Sequence, residues 1–255
     1  MIVRTDAVVL RAIEYGETSL IVTLFTRRHG QVTVMAKGAR RPKSRFGSAL
    51  QPMGYVQVVY YYKPGRGLQT LKESAHVQVL HGVAADIEKI TVGLRLVELV
   101  RALTEDQEEN PLLFTLLVQA LLELDGAAER AANVLPHFQL RMATVLGFAP
   151  DVQRGDVLAL PDEGGVLALD TGAVLPLAAA PKAGARVGRQ ALRAFAVFAR
   201  ADLATAMRMA LSADLRDEVQ RLVDAYLRYH VEEAYPDRVR KVAGQLTPPP
   251  SAPPA

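Results

Sequence analysis

The sequence predicts an α+β fold: a small five-stranded β-barrel in front, then an α-helical domain containing a short β-hairpin. Two changes of pattern carry the prediction. Over residues 2–79 apolar and polar residues alternate with period two, in five short runs separated by Gly and Pro turn signals. From residue 81 the period lengthens to that of an amphipathic helix. Charge changes at the same place. Residues 1–80 hold 12 of the 30 Lys and Arg but only 4 of the 27 Asp and Glu, so the front is +8 and the remainder −5 within a net charge of +3. A basic front suits an anionic partner and leaves a different task to the rest. Two domains are expected for 255 residues of which half are apolar. The expected divisions are 1–80 for the barrel, 81–243 for the helical domain with 151–187 as its hairpin insert, and 244–255 as a disordered Pro-rich tail.

The first strand is expected over residues 3–13, rich in Val, Ile and Thr and stopped by Tyr15-Gly16. The second, 19–26, puts Leu20, Val22 and Leu24 on one face and Ile21, Thr23 and Phe25 on the other, and His29-Gly30 then turns the chain. The third, 31–36, alternates Val32, Val34 and Ala36 against Gln31, Thr33 and Met35. In the fourth, 54–63, Val56, Val58, Tyr60 and Tyr62 oppose a wetter face of Tyr55, Gln57, Val59, Tyr61 and Lys63. A Pro64-Gly65-Arg66-Gly67 turn leads to the fifth, 68–80, with Leu71, Ala75, Val77 and Val79 on its apolar side. Five strands with a long loop between the third and fourth match the Greek-key barrel of the oligonucleotide-binding fold.

Behind it, Val83, Ile87, Ile90, Leu94 and Val97 recur at helical spacing, widened by Leu99, Val100 and Leu103 into a core-facing stripe. Asn110-Pro111 opens a second helix with a capping residue and a proline at its first position, and Gly126 stops it. A third spans about 129–146, with Pro136 kinking it or marking its true start. The near-identical apolar tetrads 157–160 and 166–169 flank Pro161-Asp162-Glu163-Gly164-Gly165 and read as the two arms of the hairpin. Helices return at 189–200, 202–211 and 214–235.

Composition removes whole classes of chemistry. Without cysteine there is no disulfide, thiolate zinc site or cysteine nucleophile. The start has no basic segment followed by an unbroken apolar run, and the most apolar helix, 111–124, is too short for a bilayer and carries Gln119 and Glu123. A soluble cytoplasmic protein is expected. Gly65-Arg66-Gly67 lacks the third glycine and the following helix of a phosphate cradle. His29, His76, His81, His137 and His230 never fall at i, i+4, and His230 suits a helix surface better than a catalytic base. The acids Asp106, Glu108 and Glu109 share one predicted loop. No catalytic constellation and no cofactor are expected.

What stands out instead is residues 37–47. Lys37, Arg40, Arg41, Lys43 and Arg45 fall within nine residues, with no acid among them, while Gly38, Pro42, Ser44 and Gly47 prevent a helix or strand. Such a loop offers cations to a phosphate backbone, and Phe46 would add a ring on which a base could stack. Lys63 and Arg66 extend the basic surface. Phe25, Tyr55 and Tyr61, interleaved with these cations, fit the same stacking-plus-charge arrangement, although a tyrosine in a strand also packs well for purely structural reasons.

Residues 7–52 (AVVLRAIEYGETSLIVTLFTRRHGQVTVMAKGARRPKSRFGSALQP) resemble the N-terminal signature of the bacterial recombination and repair mediator family RecO. The likeness continues through residues 60–71, Leu146-Gly147-Phe148-Ala149-Pro150 and Tyr226-Leu227-Arg228-Tyr229-His230. It implies an oligonucleotide-binding barrel followed by helices, in a non-enzymatic protein, nucleoid-associated in the cytoplasm. Such a protein binds single- and double-stranded DNA and anneals complementary strands. With RecR and the C-terminal tail of single-stranded-DNA-binding protein, it helps load a RecA-type recombinase on gapped DNA. By motif position the DNA contacts fall on Lys37, Arg40, Arg41, Lys43 and Arg45. Many relatives carry a four-cysteine zinc ribbon after the Gly-Phe-Ala-Pro element; here the cysteine-free hairpin stands in its place, held by packing of Val157, Leu158, Leu160, Val166, Leu167 and Leu169. Two other readings stay open: an RNA- or ribosome-associated barrel protein, and a metal-dependent nuclease using Asp106, Glu108, Glu109 or Asp151.

Overall fold

The structure, a computed structural model, describes residues 1–234. The chain forms two compact units, Met1–Ala128 and the remainder from Glu129. The expected proline-rich tail and the last residue of the 214–235 helix lie outside the described residues.

In the first unit, β1 (Ile2–Tyr15), β2 (Ser19–Thr26), β3 (Gly30–Ala36), β4 (Tyr55–Tyr61) and β5 (Leu68–Gln78) close a barrel in the order β1-β2-β3-β5-β4. All neighbours are antiparallel except β3 and β5, which run parallel over Thr33–Met35 and Leu68–Thr70 and close the cylinder. The alternation dictates the interior: Val22, Leu24, Val32, Val34, Val56, Val58, Tyr60 and Leu71 all point inward and are buried. The second half of β5 departs from expectation, because Ala75, Val77 and Val79 are exposed while Gln69 is buried. Gln69 is spent on the β4–β5 turn: its amide accepts from the Lys63 nitrogen and donates to the Lys63 and Arg66 carbonyls.

The change of period at residue 81 falls inside this unit. Helices α1 (His81–Ala84), α2 (Ile87–Leu103) and α3 (Pro111–Gly126) pack with the barrel, α2 against β1 and α3 through Phe114 against Phe25, ring centroids 6.2 Å apart. The predicted apolar stripe of α2 holds at Val97, Leu99, Val100 and Leu103 but fails at Ile87 and Leu94. Ile87 is 77 % exposed and Leu94 is exposed, whereas Val92, Leu96, Val97, Leu99, Val100 and Leu103 are buried. The cause is Asp86, whose carboxylate accepts from the Glu88 and Lys89 nitrogens and starts a new helix at Ile87. That phase turns Gly93 toward Met53, where a Cβ would overlap the thioether sulfur. Asn110 caps α3 as expected, accepting from the Leu113 nitrogen at 2.9 Å.

In the second unit, a short 3-10 turn at Ala131–Asn133 leads into α4 (Val134–Val145), with Pro136 in its first turn, where a missing N–H costs little. Helices α6 (Arg189–Arg200), α7 (Leu203–Met207) and α8 (Ala213–Ala234) complete a core built on Leu140, Leu192, Phe195, Phe198, Val223 and Tyr226. The region between α4 and α6 corrects the hairpin prediction. Residues 154–158 form a helix, α5 (Arg154–Leu158), so the first tetrad is not a strand arm. The sheet is three-stranded, with β6 (Gly165–Ala168) central between β7 (Val174–Leu175) and β8 (Gly184–Val187). The tight hairpin is therefore β6–β7, and Val157 and Leu160 reach the core from α5 and its end while Leu158 is exposed.

Candidate nucleic-acid interface

β3 runs straight into the basic segment. Past Ala36, Gly38 takes a left-handed backbone, φ +72°, and the chain continues as linked turns: Arg41 donates to the Gly38 carbonyl, Ser44 to Arg41, Gly47 to Ser44 and Ala49 to Phe46. The segment is stitched to β1 where the Met53 nitrogen donates to the Val9 carbonyl (2.8 Å) and the Val9 nitrogen to that of Gly54 (2.9 Å).

Phe46 is not the exposed stacking ring expected from the sequence. It is 2 % exposed and, with Ala49 and Leu50, plugs the barrel core, so it anchors the loop from within. Arg45 lies over its ring, 5.1 Å from the centroid. Phe25 is likewise fully buried, against Phe114. Of the predicted rings, Tyr55 is half-buried and Tyr61 is exposed.

Lys37, Arg41, Lys43 and Arg45 are exposed along the loop. Arg40 is engaged differently: its guanidinium pairs with Glu14 at 3.0 Å and donates to the Gly16 and Glu17 carbonyls. Lys63 and Arg66 are exposed on the β4–β5 turn. Register separates the two basic groups. Thr33 sits beside Leu68, so the Lys63/Arg66 turn adjoins the start of β3, whereas Lys37 leaves its end. The four residues from Thr33 to Lys37, at strand rise, put about 13 Å between the two levels.

Between them the outer face carries a row that sequence reading missed. Ile13 pairs with Ile21, Ile21 with Met35, Met35 with Thr70, Thr70 with Tyr61 and Tyr61 with Ile2. Ile2, Ile13 and Tyr61 are exposed and the others partly so. Period-two alternation assigns each to an outer face, but only strand register aligns them in one band. The row starts and ends on β1 and so circles the closed barrel, with the basic loop on one side of it and the Lys63/Arg66 turn on the other.

At the start of β3, His29 Nδ1 lies 2.9 Å from the Tyr60 hydroxyl and its ring stacks on Tyr62, centroids 4.5 Å apart. Burial lowers the His29 pKa and pushes Tyr60 up to about 12. These groups hold the barrel end together. Two of the four acids proposed for a nuclease carry side-chain hydrogen bonds: Asp106 accepts from the Gln31 amide at 2.9 Å and Asp151 from Gln153 at 2.8 Å. Among the described residues no three His, Asp or Glu side chains gather in a way that could hold a metal ion. No helix among them is long and apolar enough to cross a membrane.

The second unit has an apolar cleft of about 530 Å³ between α5 and α6, walled by Val157, Leu158 and Val197 and rimmed by Arg154, Arg193 and Arg200. Among the described residues no carboxylate lines it.

Residues 1–79 match the family model described as Recombination protein O N terminal, and residues 84–238 match Recombination protein O C terminal. The chain belongs to the RecO family. It is 54 % identical over 245 residues to the DNA repair protein RecO of Salinibacter ruber, covering 96 % of this chain and 94 % of that protein. The RecO proteins of Chloroherpeton thalassium and Desulfatibacillum aliphaticivorans are each 31 % identical, over 96 % and 90 % of this chain and 99 % and 92 % of theirs. Two segments that carry the RecO resemblance meet in the second unit: the Tyr226 hydroxyl donates to the Phe148 carbonyl, and the His230 ring stacks on that of Phe148.

Proposed function

We propose that this RecO-family protein is a non-enzymatic recombination mediator, whose barrel grips single- and double-stranded DNA through phosphates and brings complementary strands together. Neutralising phosphates on two strands lowers their repulsion, so bases can find partners without any bond being made or broken. The observation that carries this reading is the exposure of Lys37, Arg41, Lys43 and Arg45 on a loop anchored to the barrel by Phe46. Lys63 and Arg66, on the β4–β5 turn, would take the strand on the other side of the apolar row. The helical unit would recruit partners. Its arginine-rimmed cleft suits an acidic tail with apolar side chains, which is the chemistry expected of the single-stranded-DNA-binding protein's C-terminus. RecR binding, loading of a RecA-type recombinase and nucleoid association follow from the family resemblance.

Salt titration of DNA binding tests the barrel. Affinity for single strands should fall with a log–log slope of about −0.7 per phosphate contacted, with little sequence preference. Charge reversal at Arg41 and Lys43 together should abolish binding at physiological salt, and unchanged affinity would end the proposal. Purified protein should anneal complementary strands and leave labelled DNA intact with magnesium or manganese, whereas cleavage would favour the nuclease reading. Structured RNA outcompeting single-stranded DNA would favour an RNA-binding protein. Reversing Arg193 and Arg200 in the full chain should remove capture of the acidic tail while sparing DNA binding.

A further inference from the structure

Of the five cations in the basic loop, Arg40 is the one tied to another strand connection by an ion pair and hydrogen bonds. Its Nη2 sits 3.0 Å from a Glu14 carboxylate oxygen, its Nη1 donates to the Gly16 and Glu17 carbonyls at 3.4 and 3.3 Å, and its backbone nitrogen donates to the Thr18 carbonyl at 2.9 Å. All four partners lie in or beside the β1–β2 turn, which register brings alongside the end of β3 through the Leu20–Ala36 pair. Six residues further on, Phe46 is sunk in the barrel core. The stretch between them holds Arg41, Lys43 and Arg45, all exposed, with Pro42 stiffening its middle. The loop is thus clamped at both ends, by an apolar plug on one side and a guanidinium on the other.

We infer that Arg40 and Glu14 form a latch that holds the basic loop in its binding shape, making Arg40 a positioning residue for the neighbouring cations and not itself a phosphate contact. The inference rests on the reading of the loop as the DNA-binding element. Chemistry favours the assignment. A guanidinium presents its donors in a fixed planar fork, so one side chain can serve a carboxylate and two carbonyls at once, which a lysine ammonium cannot reproduce. Those partners take three of the five N–H donors, which holds the guanidinium over the β1–β2 turn. The pair is open to water, the Glu14 side chain being 70 % exposed, so the latch is modest and draws its worth from several contacts together.

The latch makes a prediction of unusual sign. Removing an acid beside a DNA-binding loop ordinarily tightens DNA binding, because a repulsive charge is gone. Removing a latch partner loosens the loop and weakens it. The experiment compares Glu14→Ala, Arg40→Lys, Arg40→Gln and Arg41→Gln in the full chain, by two measurements. Limited trypsin digestion follows cleavage after Lys43 and Arg45, and a fluorescent oligothymidine titrated across a salt series gives affinity and slope. Expected are faster loop cleavage in Glu14→Ala and Arg40→Lys, and affinity about two- to fivefold lower in each. The salt slope should stay at the unmodified value in all Arg40 variants and fall by about 0.7 only in Arg41→Gln. Tighter binding by Glu14→Ala, unmodified behaviour of Arg40→Lys, or a slope change of about 0.7 in Arg40→Gln would overturn the assignment. If the unmodified protein binds no oligothymidine, the DNA-binding reading fails by itself. The latch is then judged by trypsin, and cleavage of Glu14→Ala no faster than that of the unmodified chain overturns it.

Discussion

The Tyr226 hydroxyl donates to the Phe148 backbone carbonyl at 2.8 Å, joining the last long helix to the chain just past α4. Tyr226 is fully buried, and burial pushes its phenol well above the ordinary tyrosine range, so it remains a donor at any working pH. His230, one turn on, stacks on the Phe148 ring at 5.0 Å. Tyr226→Phe keeps the ring and orphans the carbonyl, so it should lower unfolding free energy by about 1–2 kcal/mol in urea titration. An unchanged urea midpoint would show that the bond contributes nothing.

Gly30 begins β3 with φ +53°, and a Cβ there would overlap the backbone carbonyl of Glu108. Neither atom can swing aside, since the neighbouring Gln31 carbonyl accepts from the Gln107 nitrogen at 2.8 Å. Gly16 has a similar φ, +59°, with open space around its missing Cβ. Gly16→Ala should therefore cost only the left-handed backbone penalty, about 1–2 kcal/mol. Gly30→Ala should cost more than about 3 kcal/mol, because the 106–109 segment must move as well. Equal losses in urea unfolding would mean that the approach of Glu108 is not a constraint.

Phe46 fills the barrel interior, so its truncation should be felt as stability and not as lost base contact. Phe46→Ala should destabilise the protein by about 3–5 kcal/mol, and Phe46→Leu by less than half of that. With Phe46→Leu folded, affinity for oligothymidine should match the unmodified protein within about twofold. A stable Phe46→Leu variant with greatly weakened DNA binding would restore the ring as a stacking surface.

The barrel was legible because period-two alternation is written into β3 and much of β2 and β4; Val32, Val34, Val56 and Val58 can only point one way together. The cationic loop was legible from composition alone. What failed depended on tertiary direction. Phe46 sits among exposed residues in the sequence, and nothing local reveals that a loop turns one ring inward. Ile87 and Leu94 fit a helical stripe by spacing, but the Asp86 cap sets the helix phase and Gly93 against Met53 fixes which side packs. The tetrad 157–160 is a short apolar run, for which periodicity cannot tell helix from strand. β7 has only Val174 and Leu175, too few residues to carry a pattern. The Ile13–Tyr61 band and the Arg40–Glu14 pair needed register, which brings together residues tens of positions apart.

His137 offers a pH-dependent handle on the second unit. The residue is 5 % exposed on α4, and its Nε2 lies 3.2 Å from the Ala201 carbonyl, serving as the donor when neutral. Burial lowers its pKa below the ordinary 6.5, against smaller opposing effects of the Ala201 bond and Asp202. As pH falls through about 6.5 the unfolded chain takes up the proton first, so the folded state loses stability from there down to the depressed folded pKa; above 6.5 the group contributes no pH dependence. The loss cannot exceed about 1.4 kcal/mol per pH unit for this one group. His29, also lowered by burial, acts in the same direction in the first unit. His137→Gln keeps an amide donor but no titrating ring. Its urea midpoint should lie below that of the unmodified protein at about pH 8, and the gap should narrow as pH approaches 5. Parallel midpoint curves across that range would show that His137 titrates alike in both states and that its burial exacts no proton-linked penalty.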